Sequence, residues 1–591
     1  MTMDMILVII GIILMLVGLF FEIARPDLLV FFTLFFFMLT GVVTTSEALV
    51  GFSNEGMLTI GLLFIIAGVF ERSGLVERLV SSLLKDASTR ESALFRLLVP
   101  ISAFSAFLNN TPIVVTLTPI VRKWASDHDI SPSKFLIPIS YASILGGTIT
   151  LMGTSTNLVV HGLLLDFGES GFSFFTLAWI GLPITILGLL YMIFIGHHLL
   201  PNHKSLIEKV RENTKDYLSE MVVTEEFPYI GQSIEEAQLR NLKGLYLIEI
   251  IRGKERISPV TSKTIVQGGD RLIFSGMIST IADLQKRKGL QLDTGTDLTL
   301  DDIKNGSSQL VEIVVSHQSS LLGRTIKASR FRERYDAAVL AVHRNDEKVQ
   351  GKIGEIIPKS GDLMLLIAGS DFKQNIEERR DFYLTSPVGD AKFQESENKG
   401  WVALIVMLFM IGLVTFNILS IFKAMVITTG LLLALKILTP HQAKTSTQFQ
   451  VLLLIASALG IGNVIIQTGT GEWLANGLMG LLAPYGIIAI LITLYLLTNL
   501  FTELITNNAA AVIMFPIGYE VATQSNMDPL GMAVLVAVAA SASFLSPIGY
   551  QTNLIVYGPG GYAFKDYLKT GLPLTLIVMV TTISIVFFKF I

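Results

Sequence analysis

Two clusters of amide and hydroxyl side chains interrupt long apolar stretches of this chain. The first cluster comprises Ser105, Asn109, Asn110 and Thr111, and the second comprises Thr502, Thr506, Asn507 and Asn508. Helices that begin at such breaks direct unpaired N–H groups and the positive end of their dipoles toward one point, which suits an anion. Hydroxyl, amide and carbonyl oxygens at the same place suit a small hard cation such as sodium.

The two clusters belong to a longer internal repeat. Asn110 is followed nine positions later by Pro119 and 47 positions later by Asn157, and Asn507 is followed by Pro516 and Asn553 at intervals of nine and 46. One Asn-Thr pair in a membrane helix usually serves helix packing. Recurrence at matched spacing favours a binding site between two halves of a secondary transporter.

Glycines and polar residues precede Asn157 and predict a broken membrane span. Gly146, Gly147 and Thr148 are followed by Gly153 and then by Thr156 and Asn157; alone, these glycines would indicate close helix packing. Placed between two apolar half-helices, they predict an unwound middle. The matching stretch from Gly549 to Gly558 shares the Gly, Thr, Asn, Leu, Val and Gly positions of the first.

Composition sets the class of protein. The 591 residues are 51% hydrophobic and 16% charged, with a mean hydropathy of +0.61, which indicates a polytopic membrane protein. The net charge of −4 argues against a nucleic-acid partner. The absence of cysteine excludes disulfides, thiolate metal sites and cysteine nucleophiles. The N-terminus lacks the basic region of a signal peptide, so we expect its apolar run to be retained as a first span.

Apolar runs long enough to cross a bilayer occur five times in each half. They lie at about 5–21, 28–44, 56–70, 136–162 and 172–197, and at about 401–416, 420–438, 449–466, 530–557 and 571–588. We predict a polytopic α-helical membrane protein of two inverted repeats, each with five spans and one re-entrant hairpin. The repeats cover 1–200 and 400–591, with hairpins near 97–121 and 484–518. An odd number of crossings per repeat inverts the second repeat.

Loop charges orient this topology. The basic residues of the first block that fall on one side are Arg25, Arg72, Arg78, Lys85, Arg90, Arg96, Arg122, Lys123 and Lys134. The opposite segments 1–5, 45–55 and 163–172 contain no Lys or Arg. By the positive-inside rule we predict a multi-pass protein of the cell membrane with residues 202–399 in the cytoplasm.

The insert at 202–399 is rich in charge and repeats with a period of 92 residues. Arg252 pairs with Arg344 in this repeat, and Gly269-Asp270 pairs with Gly361-Asp362 before apolar strand-like runs. The pattern predicts two small α+β domains, at 202–300 and 301–399. Together they resemble the C-terminal regulatory domain of Trk-type potassium-conductance regulators. The resemblance implies a regulatory or dimerisation module for a small anionic ligand, with simple scaffolding as the alternative.

The two polar clusters resemble the Ser-Asn-Thr hairpin tips of the sodium-coupled divalent anion symporter family, which carries dicarboxylates and sulfate. The resemblance covers both membrane blocks, although Asn109 and Asn508 replace flanking residues of the tips. Ser155-Thr156 and Gln551-Thr552 likewise replace the Pro-Pro of the family's turns. The resemblance implies a homodimeric transporter with an elevator mechanism. In this mechanism the hairpins and broken spans slide against a scaffold made by spans 1–3 and their repeat.

The resemblance also implies a site for each transported species. The first sodium ion would be held by Ser105, Asn109, Asn110 and the Gly153 carbonyl, and the second by Thr502, Thr506, Asn507 and the Gly549 carbonyl. The anion would lie between the tips, and its expected contacts are Asn110, Thr111, Asn507, Asn508, Thr156 and Thr552. Sodium is therefore the expected co-transported ion.

Other titratable groups and other functions remain open at this point. Glu503 is either a functional carboxylate or an interfacial one, whereas His161 is expected to pack or cap a helix rather than relay protons. We predict a carrier of sulfate, with C4-dicarboxylates or another oxyanion as alternatives and a gated ion channel as a less favoured one. No potassium-type filter is present, and no nucleophile–base pair or P-loop indicates an enzyme.

Overall fold

The computed structural model describes most of the chain between residues 2 and 590. The positions outside the described part are 1, 22, 86–88, 204–217, 240–241, 243–244, 254, 258–259, 262, 277–287, 293–308, 318, 345–346, 370, 378–380, 385–396, 417 and 591. Parts of the predicted insert domains therefore lie outside the described residues.

The first membrane block is a succession of helices ending before residue 200. They are Met3–Phe20, Pro26–Leu39, Thr45–Ala48, Glu55–Ser73, Leu75–Lys85, Arg90–Ser105, Asn110–Asp127, Leu136–Gly147, Ser155–Asp166, Ala178–Tyr191 and His197–Leu199, with 3₁₀ turns at Val50–Ser53 and Pro132–Lys134 and a π-helical turn at Met192–Gly196. Local sequence explains several boundaries. Asn54 caps the helix that starts at Glu55, and Gly74 ends it with a φ of 62°.

The second block repeats this order. Its helices are Glu397–Thr415, Ile421–Ala434, Pro440–Ser446, Phe449–Gln467, Thr470–Leu482, Ile487–Leu504, Asn507–Gln524, Pro529–Ser541, Gln551–Tyr557 and Phe564–Phe590, with a 3₁₀ turn at Ala483–Tyr485. Packing between the blocks is reciprocal. Helix Pro26–Leu39 packs on Phe449–Gln467, and its counterpart Ile421–Ala434 packs on Glu55–Ser73.

Helix lengths refine the predicted spans. Within the described residues, four helices are long and apolar enough to cross a membrane: Ala178–Leu199, Phe449–Gln467, Ile487–Leu504 and Phe564–Phe590. The runs predicted at 28–44 and 420–438 form helices of 14 residues, which rise only about 21 Å against a hydrocarbon core of about 30 Å. Helix Ile487–Leu504, expected to be one arm of a re-entrant hairpin, has the length of a full crossing. The number of crossings therefore stays a prediction.

The insert forms two antiparallel sheets of five strands each. The strands are β1 Leu218–Val223, β2 Leu245–Arg252, β3 Glu255–Ile257, β4 Arg271–Gly276, β5 Leu290–Leu292, β6 Gln309–Val315, β7 Ala337–Arg344, β8 Glu347–Lys348, β9 Leu363–Ala368 and β10 Phe382–Leu384. The strand orders β3-β2-β4-β1-β5 and β10-β6-β9-β7-β8 are the same order read in opposite directions. The second sheet also carries short helices at Phe331–Tyr335 and Phe372–Glu377.

The period of 92 residues extends to the ion pairs of the insert. Arg252 makes a bidentate pair with Asp270 at 2.8 and 2.9 Å, and Arg344 makes one with Asp362 at 2.7 and 2.7 Å. Both aspartates are buried beneath the turn that precedes the next strand. The Gly-Asp pairs are therefore anchoring points of each sheet as well as turn signals.

Two broken helices lie at the centre of the membrane core. All residues of Leu136–Gly147 are buried, as are all residues of Pro529–Ser541 after its first two. Each is followed by an unwound segment and a second helix, so the chain departs from helical structure at 148–154 and 542–550. The predicted interruption of both spans is confirmed, and the interruptions sit where surrounding protein can satisfy the exposed backbone.

Candidate functional site

Each predicted hairpin consists of two helices joined by a short tip. Helices Arg90–Ser105 and Asn110–Asp127 form the first hairpin, and Ile487–Leu504 and Asn507–Gln524 form the second hairpin. Pro112 is tolerated as the third residue of its helix because no intrahelical hydrogen bond is lost in the first turn. The tips consequently expose helix N-termini inside the protein.

Asparagine side chains hold the two unwound segments. Asn157 donates its amide to the carbonyls of Gly147 and Thr150, at 3.1 and 2.9 Å. Asn553 does the same for Ser543 and Ser546, at 3.0 and 3.1 Å. These bonds satisfy carbonyls that the broken helices leave without partners, and they fix the loops in matching shapes.

A cluster of four oxygens forms where the first hairpin meets the first unwound segment. Ser105 Oγ contacts Asn110 Oδ1 and lies 2.7 Å from the Ser143 carbonyl. The carbonyl of Gly153 faces the same Asn110 amide. Gly153 itself packs against Gly147 so closely that a Cβ would lie 2.4 Å from the Gly147 oxygen. Glycine is therefore required for this approach.

The Asn110 amide has two possible orientations, one that satisfies its hydrogen bonds and one that could bind a cation. With its nitrogen toward the cluster, it donates to Ser143 and Gly153 at 3.1 and 3.3 Å, and its oxygen accepts from the Tyr550 hydroxyl at 2.6 Å. With its oxygen toward the cluster, Nδ2 donates to Tyr550 and four oxygens converge on one point. Hydrogen bonding alone favours the first orientation. A bound cation would require the second, since a hard cation binds oxygens.

The second hairpin repeats this arrangement with one added charge. Thr502 Oγ1 lies 2.8 Å from Asn507 Oδ1 and 2.5 Å from the Ala540 carbonyl. Beside it, Glu503 Oε1 accepts the N–H of Leu545 at 2.8 Å. Its second oxygen is buried and has no hydrogen-bond partner among the described residues. The corresponding position of the first hairpin is Ala106.

The second oxygen of Glu503 lies beside Gly549. A Cβ on Gly549 would lie 2.9 Å from Glu503 Oε2 and 2.2 Å from Ser543 Oγ. The hydroxyls of Ser543 and Ser546 are neighbours of the carboxylate. A buried carboxylate without a counter-charge is costly, and a bound cation would remove that cost. The geometry favours the functional interpretation of Glu503 over the interfacial one.

Each hairpin tip contacts the start of the helix that follows the unwound segment of the other half. Thr111 Oγ1 donates to Gln551 Oε1 at 3.1 Å. Asn508 Oδ1 accepts from Ser155 Oγ at 3.1 Å and from Thr156 Oγ1 at 3.2 Å. The hydroxyl of Tyr550 lies 3.3 Å from Thr154 Oγ1 and 2.6 Å from the Asn110 amide. The N-termini of four helices therefore meet in one partly buried region.

The side chains of three predicted site residues do not make the contacts that were expected of them. Asn109 is half-buried, and it precedes its helix without a side-chain capping bond. Thr506 caps the helix that begins at Asn507, accepting the N–H of Ala509 at 3.4 Å. Thr552 hydrogen-bonds Ser140 Oγ at 2.8 Å, away from the tips. His161 Nδ1 accepts the N–H of the loop residue Phe172 at 2.9 Å, so this side chain packs against a loop and does not cap a helix.

Sequence reasoning did not select Tyr550, Ser143 or Ala540. The last two contribute only backbone carbonyls, which no residue type reveals. Tyr550 occupies the repeat position of Thr154, and its large hydroxylated ring at an unwound segment was the available signal.

Comparison with known proteins identifies the family. The model of the citrate transporter family matches residues 5–539. A Chlamydomonas reinhardtii protein provisionally named a sulfur deprivation response regulator is 33% identical over 93% of this chain and 95% of its own length. Sodium/sulfate cotransporter 2 of the same organism is 25% identical over 91% of this chain and 84% of its own.

A solved structure, the Alcanivorax borkumensis YdaH transporter, aligns with 12% identity and a TM-score of 0.39, covering 92% of this chain and 86% of that one. That score is too low to establish a common fold. The resemblance to sodium-coupled anion carriers is confirmed by the family match and by the name of the cotransporter relative. The chain thus belongs to the citrate transporter family and is a multi-pass secondary transporter, not an enzyme.

Proposed function

We propose that this protein couples sodium entry to the transport of a small divalent anion, with sulfate as the favoured substrate. The observation that carries the proposal is the pair of matched oxygen clusters at the two hairpin tips, each beside a helix N-terminus. Cations at the clusters would lie next to the anion, so each species would strengthen binding of the other.

The first sodium site of this proposal comprises Ser105 Oγ, Asn110 Oδ1 and the carbonyls of Ser143 and Gly153. The second comprises Thr502 Oγ1, Asn507 Oδ1 and the carbonyls of Ala540 and Gly549, with Glu503 beside it. Asn109 and Thr506 contribute their positions at the starts of helices rather than their side chains. The support is the convergence of oxygens described above. A cation at the first cluster would hold the Asn110 amide with its oxygen toward the cluster, whereas hydrogen bonding alone favours the opposite orientation.

The anion site of this proposal lies between the tips, against Asn110, Thr111, Asn507, Asn508 and Thr156. N-terminal N–H groups and helix dipoles there favour negative charge without a buried Lys or Arg. One hydrogen bond joins the first tip to the opposite half and two join the second, and a compact tetrahedral dianion would replace them with bonds of its own. The names of cotransporter relatives support sulfate, and the family description supports a carboxylate as the alternative.

The proposed architecture is a pair of inverted repeats at 1–200 and 400–591, working as a homodimeric elevator. The matching helix order and the reciprocal packing of the two blocks support the repeat. The hairpins and broken helices would move together against a scaffold made by the first spans of each block. The sheets at 202–300 and 301–399 are proposed to be cytoplasmic regulatory domains for a small ligand.

Uptake of labelled sulfate into proteoliposomes tests the proposal. Sodium-dependent accumulation is expected in the wild type, and the Asn110→Ala, Asn507→Ala double variant is expected to lose it. If unlabelled citrate or succinate competes with sulfate uptake, the proposed substrate would be a carboxylate instead of sulfate. Single-channel current steps in planar bilayers would contradict a carrier altogether.

A further inference from the structure

The loop after strand β6 reaches the predicted anion site. His317 Nε2 lies 3.0 Å from Gln551 Nε2, and His317 Nδ1 lies 2.8 Å from the Tyr383 hydroxyl of strand β10. Gln551 already accepts from Thr111 through its oxygen, so its amide nitrogen is the donor to His317. A chain of hydrogen bonds therefore runs from the first hairpin tip into the second sheet.

The imidazole of His317 suits this role in its neutral form. Burial lowers the pKa of His317 to about 4, so the ring is neutral at neutral pH and one of its two nitrogens carries a proton. The Gln551 amide nitrogen can only donate, which assigns that proton to Nδ1. Nε2 then accepts from Gln551 while Nδ1–H donates to Tyr383. The His317 ring thus forms a hydrogen-bonded bridge between the second sheet and the membrane block.

A buried ion pair joins the same two parts of the chain. Arg122, near the end of helix Asn110–Asp127, pairs with Glu312 of strand β6. The exposed fractions of the two side chains are 8% and 0%. A charge this deeply buried needs its partner, so the pair fixes how the second sheet packs against the first hairpin.

Backbone packing forms a third contact. A Cβ on Gly558 would lie 3.0 Å from the Cβ of Leu363 and 3.2 Å from the Gly361 oxygen. A Cβ on Gly361 would lie 2.6 Å from Leu554 Cδ1. The turn before β9 therefore packs directly on helix Gln551–Tyr557 and on the residue that follows it.

We propose that the second sheet domain, residues 309–384, is a built-in inhibitory partner of the transport site. This inference rests on the proposed function, because Thr111 and Gln551 matter only if the anion binds beside them. All three contacts fall on the first hairpin or on the helix after the second unwound segment. While docked, the domain occupies Gln551 and holds these two elements in one position. Anion exchange requires His317 to leave Gln551.

The first sheet domain is placed to control this docking. Arg332 of the second domain donates to the carbonyl of Val260 at 2.7 Å and to that of Leu247 in strand β2. A ligand that moves the first sheet would therefore pull on the second. The inhibitory partner and the proposed regulatory ligand would act through one interface.

A reversible cross-link tests the proposal, because the chain has no cysteine of its own. In the Leu363→Cys, Gly558→Cys variant, the Cβ atoms would start about 3.0 Å apart, so a separation of about 0.5 Å brings them into the disulfide range of about 3.5–4.5 Å. Gly558 has a φ of −63°, which any residue accepts. Oxidation should form the bond and lower sodium-dependent sulfate uptake about tenfold, and reductant should restore it. The two single variants should not respond to oxidant.

Two results would overturn the proposal in this arm. One is full cross-linking, seen as a shift on a denaturing gel, with uptake equal to that of the reduced protein. The other is failure to cross-link at all, which would mean that the docked state is not populated.

A second arm needs no substrate and separates this proposal from the proposed function. Thr111→Cys is labelled with a water-soluble maleimide, alone and together with His317→Ala. Removal of His317 should raise the labelling rate about tenfold if docking covers the site in most molecules. Replacement of the exposed His441 by Ala is the matched control and should leave the rate unchanged. Equal rates with and without His317 would reject the proposal even if sulfate uptake is confirmed, and a faster rate would support it even if sulfate is not the substrate.

Discussion

The two halves of the proposed transport site share a framework and differ in charge. In each half, a hydroxyl, an asparagine oxygen and a helix carbonyl meet near a glycine of the unwound segment. The second half adds the carboxylate of Glu503 where the first has Ala106. In the proposed function, the internal repeat sets where ligands bind, while single positions decide how strongly each half attracts a cation. The two proposed sodium sites should not be equivalent.

The two halves also differ in their contacts with the rest of the chain, because one of them also contacts the insert. Tyr550, the last residue of the second unwound segment, reaches Asn110, and Gln551, the first residue of the following helix, reaches His317 of the insert. Ser155 and Thr156, at the start of the helix after the first unwound segment, reach the opposite tip. If the proposed inhibition by the insert holds, this difference makes the second half the point of control.

The largest expected effect on sulfate uptake distinguishes Gly153 from Gly549. A methyl group on Gly153 meets the backbone oxygen of Gly147 at 2.4 Å, which cannot move without distorting the segment. On Gly549 its two nearest neighbours are the side-chain oxygens of Ser543 and Glu503, which can rotate, and the Thr502 carbonyl oxygen is farther away, at 3.0 Å. Gly153→Ala should lower sulfate uptake about a hundredfold, or about 2.7 kcal/mol, and Gly549→Ala about tenfold. Equal losses measured in proteoliposomes would contradict the proposed difference in rigidity.

The next effect concerns the added carboxylate. Two unit charges about 4 Å apart interact by about 4 kcal/mol at an effective dielectric constant of 20, part of which the burial cost removes. Glu503→Gln should therefore raise the sodium concentration for half-maximal uptake about tenfold. The control is Glu520→Gln at the far end of the same hairpin, which should leave sodium dependence unchanged. An unchanged sodium dependence for Glu503→Gln would make the two sites equivalent after all.

The smallest effect distinguishes Tyr550 from Thr154. Tyr550→Phe removes a hydroxyl 2.6 Å from the Asn110 amide, and the loss of one such bond costs about 1 kcal/mol, or about fivefold in apparent anion affinity. Thr154→Val removes only a contact of 3.3 Å and should change affinity about twofold or less. Concentration-dependent uptake measures both variants. A larger loss from Thr154→Val would reverse the assignment of control to the second segment.

Much of this organisation was predictable from local sequence. Proline, glycine and asparagine at repeated intervals predicted both broken helices and both hairpins, because such residues end or bend helices wherever they occur. The period of 92 residues predicted corresponding strands in the insert. Helix ends were less predictable: the apolar run at 28–44 continues beyond Leu39, where the structure ends the helix.

The predicted ligand set was less complete. Thr552 matches Thr156 in the repeat, yet it bonds Ser140 while Thr156 faces Asn508. The two positions have the same local sequence context, so only the packing of neighbouring helices separates them. The carbonyls of Ser143 and Ala540 have no residue-type signal at all.

The sequence by itself determined the class of protein, the repeat and the places where helices break, because hydrophobicity and helix interruption are properties of short segments. The tertiary structure decided which oxygens meet and what covers them. Asn110 and Tyr550 are 440 residues apart in sequence, as are Thr111 and Gln551. Such contacts depend on how whole helices and the inserted sheets pack, and hydrogen bonds that act over about 3 Å leave no pattern in the spacing of residues.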